Sequence, residues 1–458
     1  MSKFLRINMT KVSALFEEVP ERYLTLGGRG LTSRLVLDEV PATCDPLGPL
    51  NKIIIAPGLL SGTSAPSSGR FSVGGKSPLT GGIKESNAGG ISSQKLACLG
   101  IKAVILEGKP GGNDWYCVRI TPGGVEMFNA NDLAGKGTYQ VTAACRERYG
   151  SKVGVITIGQ AGEMCMPGAG ITNNDGEGNS SRYAGRGGLG AVMGSKRIKA
   201  IVVDSPGTFD VPVRNNEKFR AAAKRFSKML LDNPIETGCA LGVLMEAGVI
   251  AFGDGMAAIK ALEEVGRGTP LGRVIGGGSA IAGKVYGVTR VPVVKGQGIP
   301  AYDPRSCKGN GVTYATSPMG ADHTAGYAVS ANILNVGGRV DPLLTDGQVD
   351  LSRNLQIATA AIDSTGLCLF VSFPMTDNPE GLPAVLDMIS ALYGIEMTAD
   401  YFMAMGRQIL GVEREFNRQA GFTGADDRLP EFFRMEKLPP HNTKFDVKDG
   451  DLDSLFNF

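Results

Sequence analysis

The 458 residues carry 47 Lys and Arg against 45 Asp and Glu, a formal net charge of +2. No long-range field therefore recruits nucleic acid or an acidic membrane, and any basic patch must be local. At this length, with 42% hydrophobic residues, two or three folded domains are expected, and the 65 glycines, with no collagen-like period, point to many special backbone conformations.

The first residues lack the long apolar run of a signal peptide, and no later segment approaches a membrane span, so a cytoplasmic location is the expectation. Residues 3–10 alternate apolar and polar side chains as a strand does, and residues 52–56 and 103–107 read as more deeply buried strands. Residues 115–120 and 125–128 flank Pro122-Gly123-Gly124, a hairpin signal. A helix over 139–149 and strands over 153–158 and 198–203 complete a β-rich α+β domain.

Two stretches in that domain interleave glycines, hydroxyls and positive charges: residues 67–90, S-S-G-R-F-S-V-G-G-K-S-P-L-T-G-G-I-K-E-S-N-A-G-G, and residues 173–196, N-N-D-G-E-G-N-S-S-R-Y-A-G-R-G-G-L-G-A-V-M-G-S-K. Glycine lets backbone N–H groups approach an oxyanion closely, and Arg70, Lys76 and Lys84 supply charge, so the first stretch reads as a site for a large anion. The pair suggests a ligand with more than one phosphate. Neither stretch is a P-loop or a dinucleotide fingerprint. The plainer alternative is a set of tight turns in a glycine-rich β-domain.

After a linker at Val211-Pro212-Val213, Phe219, Ala222, Ala223, Phe226 and Leu230 recur at helical spacing, with Asn216 available as a cap. Further helices are expected at 238–247, 255–265, 351–362, 384–392 and 400–416, the last with Tyr401, Ile409, Val412 and Phe416 as its apolar stripe. The expected fold is multidomain α+β: a β-rich cofactor-binding domain over 1–210, a helical domain over 211–295 and a C-terminal helical domain over 296–458.

Eight cysteines, at 44, 98, 117, 145, 165, 239, 307 and 368, include no C-x-x-C pair, so neither a disulfide framework nor a complete local metal motif is indicated. Of the two histidines, His441 follows Pro439-Pro440 in a polar tail and reads as a solvated loop residue. His323, beside Asp322, is either a proton donor and acceptor near neutral pH or a satisfied structural histidine. Asp363 can accept hydrogen bonds from ligand N–H groups, and Cys368 is a thiolate ligand or a small core residue.

Taken together, L-G-G-R-G-L, G-T-S-A-P-S-S-G-R, K-S-P-L-T-G-G, S-N-A-G-G, A-G-R-G-G-L-G-A-V-M-G-S-K, P-A-Y-D-P-R, Y-A-T-S-P-M-G-A-D-H and D-S-T-G-L-C resemble the tungsten-containing aldehyde ferredoxin oxidoreductase family. These blocks span residues 24–368, and G-A-D-D-R-L-P near 424–430 also fits. The resemblance implies oxidation of small aldehydes, or related carbonyl compounds, to carboxylates on tungsten or molybdenum held by two pyranopterins, with electrons passing through a 4Fe-4S cluster to ferredoxin. The pterin phosphates would share a magnesium ion, with backbone carbonyls of Asn87 and Tyr183 as ligands. Arg182 and Gly89 would lie against the pterins, Asp363 would contact a pterin from the other side, and Arg70 would lie between pterin and cluster. Cys368 would be a cluster ligand adjoining the pterin, and His323 the histidine beside the metal.

One departure is domain-sized. The family's C-x-x-C-x-x-x-C, three ligands of the cluster, is absent where Leu230-Leu231-Asp232-Asn233-Pro234 runs straight into Ile235-Glu236-Thr237-Gly238. The family's glutamate beside the metal and part of a pterin-contacting segment go with it, and Cys239 and Cys307 are the nearest substitutes by segment. The alternative function is a non-catalytic or split pterin-binding subunit without its own cluster. Loss of such a segment predicts exposed apolar faces, hence a homo-oligomer or a partner chain that covers them.

Overall fold

The structure, a computed structural model, describes residues 2–207, 211–226 and 243–458. The junction at 230–238, Cys239 and the first part of the helix expected at 238–247 lie outside the described residues.

The N-terminal part holds two six-stranded sheets. The first contains β1 (Lys3–Asn8), β2 (Ser13–Glu18), β3 (Ile53–Pro57), β4 (Phe71–Lys76), β5 (Ile83–Ala88) and β6 (Ile101–Glu107), in the order β2-β1-β6-β3-β4-β5. The second contains β7 (Tyr116–Thr121), β8 (Gly124–Asn129), β9 (Gly154–Thr157), β10 (Ile171–Asn173), β11 (Arg182–Ala184) and β12 (Ile198–Val203), in the order β11-β10-β9-β12-β7-β8. Each sheet has one parallel pair, β1 with β6 and β12 with β7, and is otherwise antiparallel.

One core joins the sheets: Leu5, Ile53, Val73 and Val104 from the first pack with Val118, Val155 and Ile201 from the second. The other face of the first sheet is covered by the helix Gly28–Glu39, through Leu31, Leu35 and Val36, and by Phe416 from the C-terminal part. The expected strands and the Pro-Gly-Gly hairpin, with Thr121 opposite Gly124, are present within a residue or two.

The stretch at 67–90 is a β-hairpin rather than an open loop. Ser77 organises its turn: Ser77 Oγ accepts from the N–H groups of Leu79 (3.1 Å) and Thr80 (3.0 Å) and donates to the Gly187 carbonyl (2.6 Å). Gly74 is required for packing, since a Cβ there would collide with Thr32 on the helix Gly28–Glu39.

The rest is mainly helical. Helices Asn216–Phe226, Gln348–Thr365, Gly381–Tyr393 and Ala399–Gln419 share one apolar core, and Lys308–Thr316 packs with the C-terminal segments in another. Two sequence expectations are corrected. The cap of the helix Asn216–Phe226 is Asn215, whose Oδ1 accepts from Lys218 N–H at 3.1 Å; Asn216 is already helical. The buried face of Ala399–Gln419 runs through Phe402, Met405, Ile409, Leu410, Glu413 and Phe416, with Tyr401 exposed because it lies one position off the stripe. No single helix among the described residues is long and apolar enough to cross a membrane.

Candidate functional site

The site forms where the end of Gln348–Thr365 crosses the first sheet. Leu59 N–H donates to Ser364 O (3.0 Å), Leu60 N–H to Thr365 O (2.9 Å) and Arg70 N–H to Gly366 O (3.1 Å). Gly366 adopts φ +81°, and a Cβ on Gly58 would overlap its backbone, so two glycines are needed for this crossing.

The crossing sets Cys368 beside Arg70. Arg70 Nη2 donates to Cys368 Sγ at 3.4 Å, while Nη1 donates to Asn87 Oδ1 at 2.9 Å. One planar cation thus ties β5 to the D-S-T-G-L-C segment. Asp363, at the end of the same helix, accepts from Arg29 Nη1 at 3.3 Å; burial pushes its carboxyl up to about 6, with Arg29 opposing.

Arg29 is itself buried and donates through Nε and Nη2 to both oxygens of buried Glu413 at 2.8 Å. Beneath this group lies Glu85, whose Oε1 is buried and has no hydrogen-bond partner among the described residues. Burial, with repulsion from Asp363, pushes Glu85 up to about 8 against the pull of Arg29. Its carboxyl is therefore largely protonated at neutral pH.

The second glycine stretch joins the same wall. Asn173 Nδ2 donates to Gly89 O at 2.6 Å, and Asn173 pairs with Arg182 across β10 and β11. Arg182 and Tyr183 are exposed, and a Cβ on Gly89 would meet only open space. Gly89, Asn87 and Arg70 thus share one wall, and Arg182 is linked to it through Asn173.

His323 stands at another side. Its Nδ1 is buried, has no hydrogen-bond partner among the described residues and lies 3.8 Å from Asp322 Oδ1, beyond hydrogen-bond range. Burial lowers its pKa below the ordinary imidazole value, opposed by Asp322, so the ring is neutral at pH 7. Although burial works against the Asp322 charge, Arg186 (Nη1, 3.4 Å) and Lys84 (Nζ, 3.4 Å) hold that carboxyl ionised. His441, by contrast, is exposed.

Lys76, one of the three charges assigned to the first anion stretch, lies elsewhere, as does Lys196 at the end of the second. Lys76 Nζ donates to the carbonyls of Ala42 (2.5 Å) and Cys44 (2.8 Å), and Lys196 Nζ to those of Asn51 (2.6 Å) and Gly108 (3.2 Å). Both are buried straps that fasten loops. Cys307 is buried and donates to Asn332 Oδ1 at 3.4 Å, and among the described residues no group of three or more His, Cys, Asp or Glu is placed to hold a metal ion.

Sequence reasoning missed Arg29, Glu85, Arg186, Tyr302, Tyr327 and Glu413. A usable signal existed for Glu85: I-K-E-S-N-A is a polar segment between structured neighbours, and a polar strand buried along most of its length implies partners of its own chemistry.

Residues 4–205 match the family described as aldehyde ferredoxin oxidoreductase, N-terminal domain, and residues 220–457 match domains 2 and 3 of the same enzyme. The tungsten-containing aldehyde ferredoxin oxidoreductase of Pyrococcus furiosus is 30% identical over 571 aligned positions, covering 95% of this chain and 92% of the relative. That of Thermococcus kodakarensis is 29% identical with the same coverage. With 571 positions against 458 residues, these relatives carry more than a hundred positions that have no counterpart here. The active-site complex BamBC of benzoyl coenzyme A reductase, solved with 1,5-dienoyl-CoA, shares the fold: TM-score 0.78, 18% identity, covering 99% of this chain and 93% of that one.

Proposed function

This chain belongs to the aldehyde ferredoxin oxidoreductase family and is an oxidoreductase; from that premise we propose that it oxidises an aldehyde to a carboxylic acid, passing electrons to a ferredoxin-type acceptor. Aldehyde and water give the acid, two electrons and two protons. A tungsten (or molybdenum) bis-pyranopterin, when bound, supplies the two-electron oxygen chemistry.

The residues present fit such a group. Gly89 leaves open space on the wall it shares with Arg70 and Asn87, and the buried atoms Glu85 Oε1 and His323 Nδ1 are polar groups that lack a protein partner among the described residues. Arg70, Asn87, Gly89, Arg182, Tyr183, Asp363 and Cys368 would hold the pterins, with the Asn87 and Tyr183 carbonyls taking magnesium. His323, neutral and desolvated, takes one of the protons released.

The observation that carries the reading is His323: an imidazole whose pKa burial lowers and whose buried Nδ1 has no partner among the described residues, beside a site built from segments that match the family motifs. The test is elemental analysis on protein purified without oxygen, together with aldehyde-dependent reduction of a low-potential dye. About one tungsten or molybdenum per chain with turnover supports the proposal; absence of both metals defeats it.

A four-iron cluster does not fit the described residues, since Cys368 has no set of further ligands around it. With the missing positions of the relatives, this favours one second reading: a split enzyme whose partner chain brings the cluster ligands. Pterin metal without iron in the isolated chain supports it, whereas about four irons per chain defeats it.

A further inference from the structure

We infer that Asp322, clamped between Lys84 and Arg186, is the positioning residue of His323: its carboxylate steadies the charge the imidazole gains on taking a proton, and the two cations keep that charge from being held too firmly. This rests on the aldehyde oxidation proposed above. Three segments supply the clamp: Lys84 from β5, Arg186 from the second glycine stretch, and Asp322 with His323 from the chain that follows Lys308–Thr316. Lys84 Nζ lies 3.4 Å from Asp322 Oδ2, and Arg186 Nη1 lies 3.4 Å from Oδ1. His323 Nδ1 is 3.8 Å from the same Oδ1.

Each member is fixed. Asp322 Oδ1 accepts from Thr324 N–H at 3.0 Å and from Thr324 Oγ1 at 2.7 Å, which ties the carboxylate to the turn that carries the histidine. Arg186 Nη2 donates to Gly298 O at 2.8 Å. The Lys84 stem runs beneath Gly187, at φ +79°, where a Cβ would collide with it, so this glycine lets the ammonium reach Asp322. The Lys84 side chain is 1% exposed, and Asp322 is the opposite charge that acts on it most strongly. Both glycine stretches thus direct a cation at this carboxylate rather than at a ligand anion.

The surroundings leave the clamp in control of the ring. Tyr302 and Tyr327, each 5.8 Å from the imidazole between centroids, pair hydroxyl to hydroxyl at 2.8 Å. Near Asp322, Tyr314 comes from Lys308–Thr316 and Asp363 from Gln348–Thr365, while Glu85 and Arg29 lie near Lys84. Burial lowers the proton affinity of His323; of the charges that act on it, Asp322 raises that affinity and Arg186 lowers it. A carboxylate alone would favour the imidazolium and slow its loss of the proton. With two cations beside that carboxylate, the ring can take a proton released by aldehyde oxidation and pass it on.

The test uses the presence of only two histidines in the chain. In oxidised holoenzyme labelled with carbon-13 histidine, H441Q leaves His323 as the single imidazole signal, and NMR follows its titration in this parent and with D322N or K84M added. Asparagine keeps the shape of Asp322, and methionine keeps the Lys84 stem. D322N is expected to lower the titration midpoint by about one pH unit or more, and K84M to raise it by up to about one unit. The acid limb of kcat/KM for aldehyde should move in the same two directions, with kcat about tenfold or more lower in D322N. A midpoint unmoved in D322N, or moved the same way by both variants as general loosening would do, overturns the inference. If D322N does not fold, K84M decides alone: a raised midpoint supports the clamp and an unmoved one overturns it. A parent protein without aldehyde turnover defeats the function proposed above and, with it, the part of the clamp in that reaction, whatever the titration shows.

Discussion

Arg70 and Cys368, 298 positions apart in sequence, meet with 3.4 Å between Nη2 and Sγ, and the same guanidinium reaches Asn87 with its other arm. Lysine keeps the charge but cannot span two acceptors in a fixed plane. R70K is expected to lower aldehyde turnover about tenfold or more, the worth of a charged hydrogen bond at ~1.5–3 kcal/mol. R70A is expected to lose bound tungsten as well, which elemental analysis reads directly.

The half-buried ring of His323, with its Nδ1 wholly covered, sets a pH dependence. Its pKa is lowered, so the neutral, proton-accepting form persists at pH 7 and is lost only on acidification below the ordinary imidazole value. The expected profile of kcat/KM is flat at neutral pH with an acid limb below about 6.5. H323A should cost about a hundredfold or more in turnover and leave tungsten content intact. Unchanged turnover would remove the residue from the mechanism.

Arg29 and Glu413 form a two-pronged pair with both side chains almost fully buried, 3% and 0% exposed, fastening the helix Gly28–Glu39 to Ala399–Gln419. Deleting Glu413 leaves buried Arg29 with only the longer, 3.3 Å contact to Asp363, and breaking a buried pair of this kind costs about 3–5 kcal/mol. E413A should therefore lower the denaturation midpoint sharply. An R29M/E413L double variant should recover part of the loss, because the Arg29 charge goes with its main partner, while Asp363, deprived of Arg29, is left to titrate still higher.

Lys196 tests stability against pH. Burial depresses its folded-state pKa to about 7, so between pH 7 and 10.5 the unfolded chain binds the extra proton. Stability in that window rises with pH, and Lys196 contributes at most roughly 5 kcal/mol at about 1.4 kcal/mol per unit. K196M, which cannot titrate, should show a shallower rise over the same window in denaturant titrations at successive pH values.

What the sequence revealed depended on how local the cause was. Strands β3 and β6 and the hairpin of β7 and β8 were legible because apolar runs and Pro122-Gly123-Gly124 act at short range. Strands β4 and β5 were not, because F-S-V-G-G-K and I-K-E-S-N-A bury polar residues and glycines, erasing the alternation that marks a strand. The helix Gly28–Glu39 hid for a similar reason: it opens G-R-G and buries Arg29, Thr32 and Ser33 as well as its leucines. At the site, motif resemblance singled out Arg70, Asn87, Asp363 and Cys368. The Arg29–Glu413 pairing, 384 positions apart, leaves no local trace at either end.

The glycine crossing of Gly58 and Gly366 also imposes an order in time. Arg70 and Asn87 emerge from the ribosome roughly 300 residues before the carbonyls and thiol that complete their wall, and closing so long a loop is slow. During synthesis the N-terminal sheets can form while the site stays open along one side. A cofactor held by both segments, as proposed above, would find its site open in that interval, before the last helices dock.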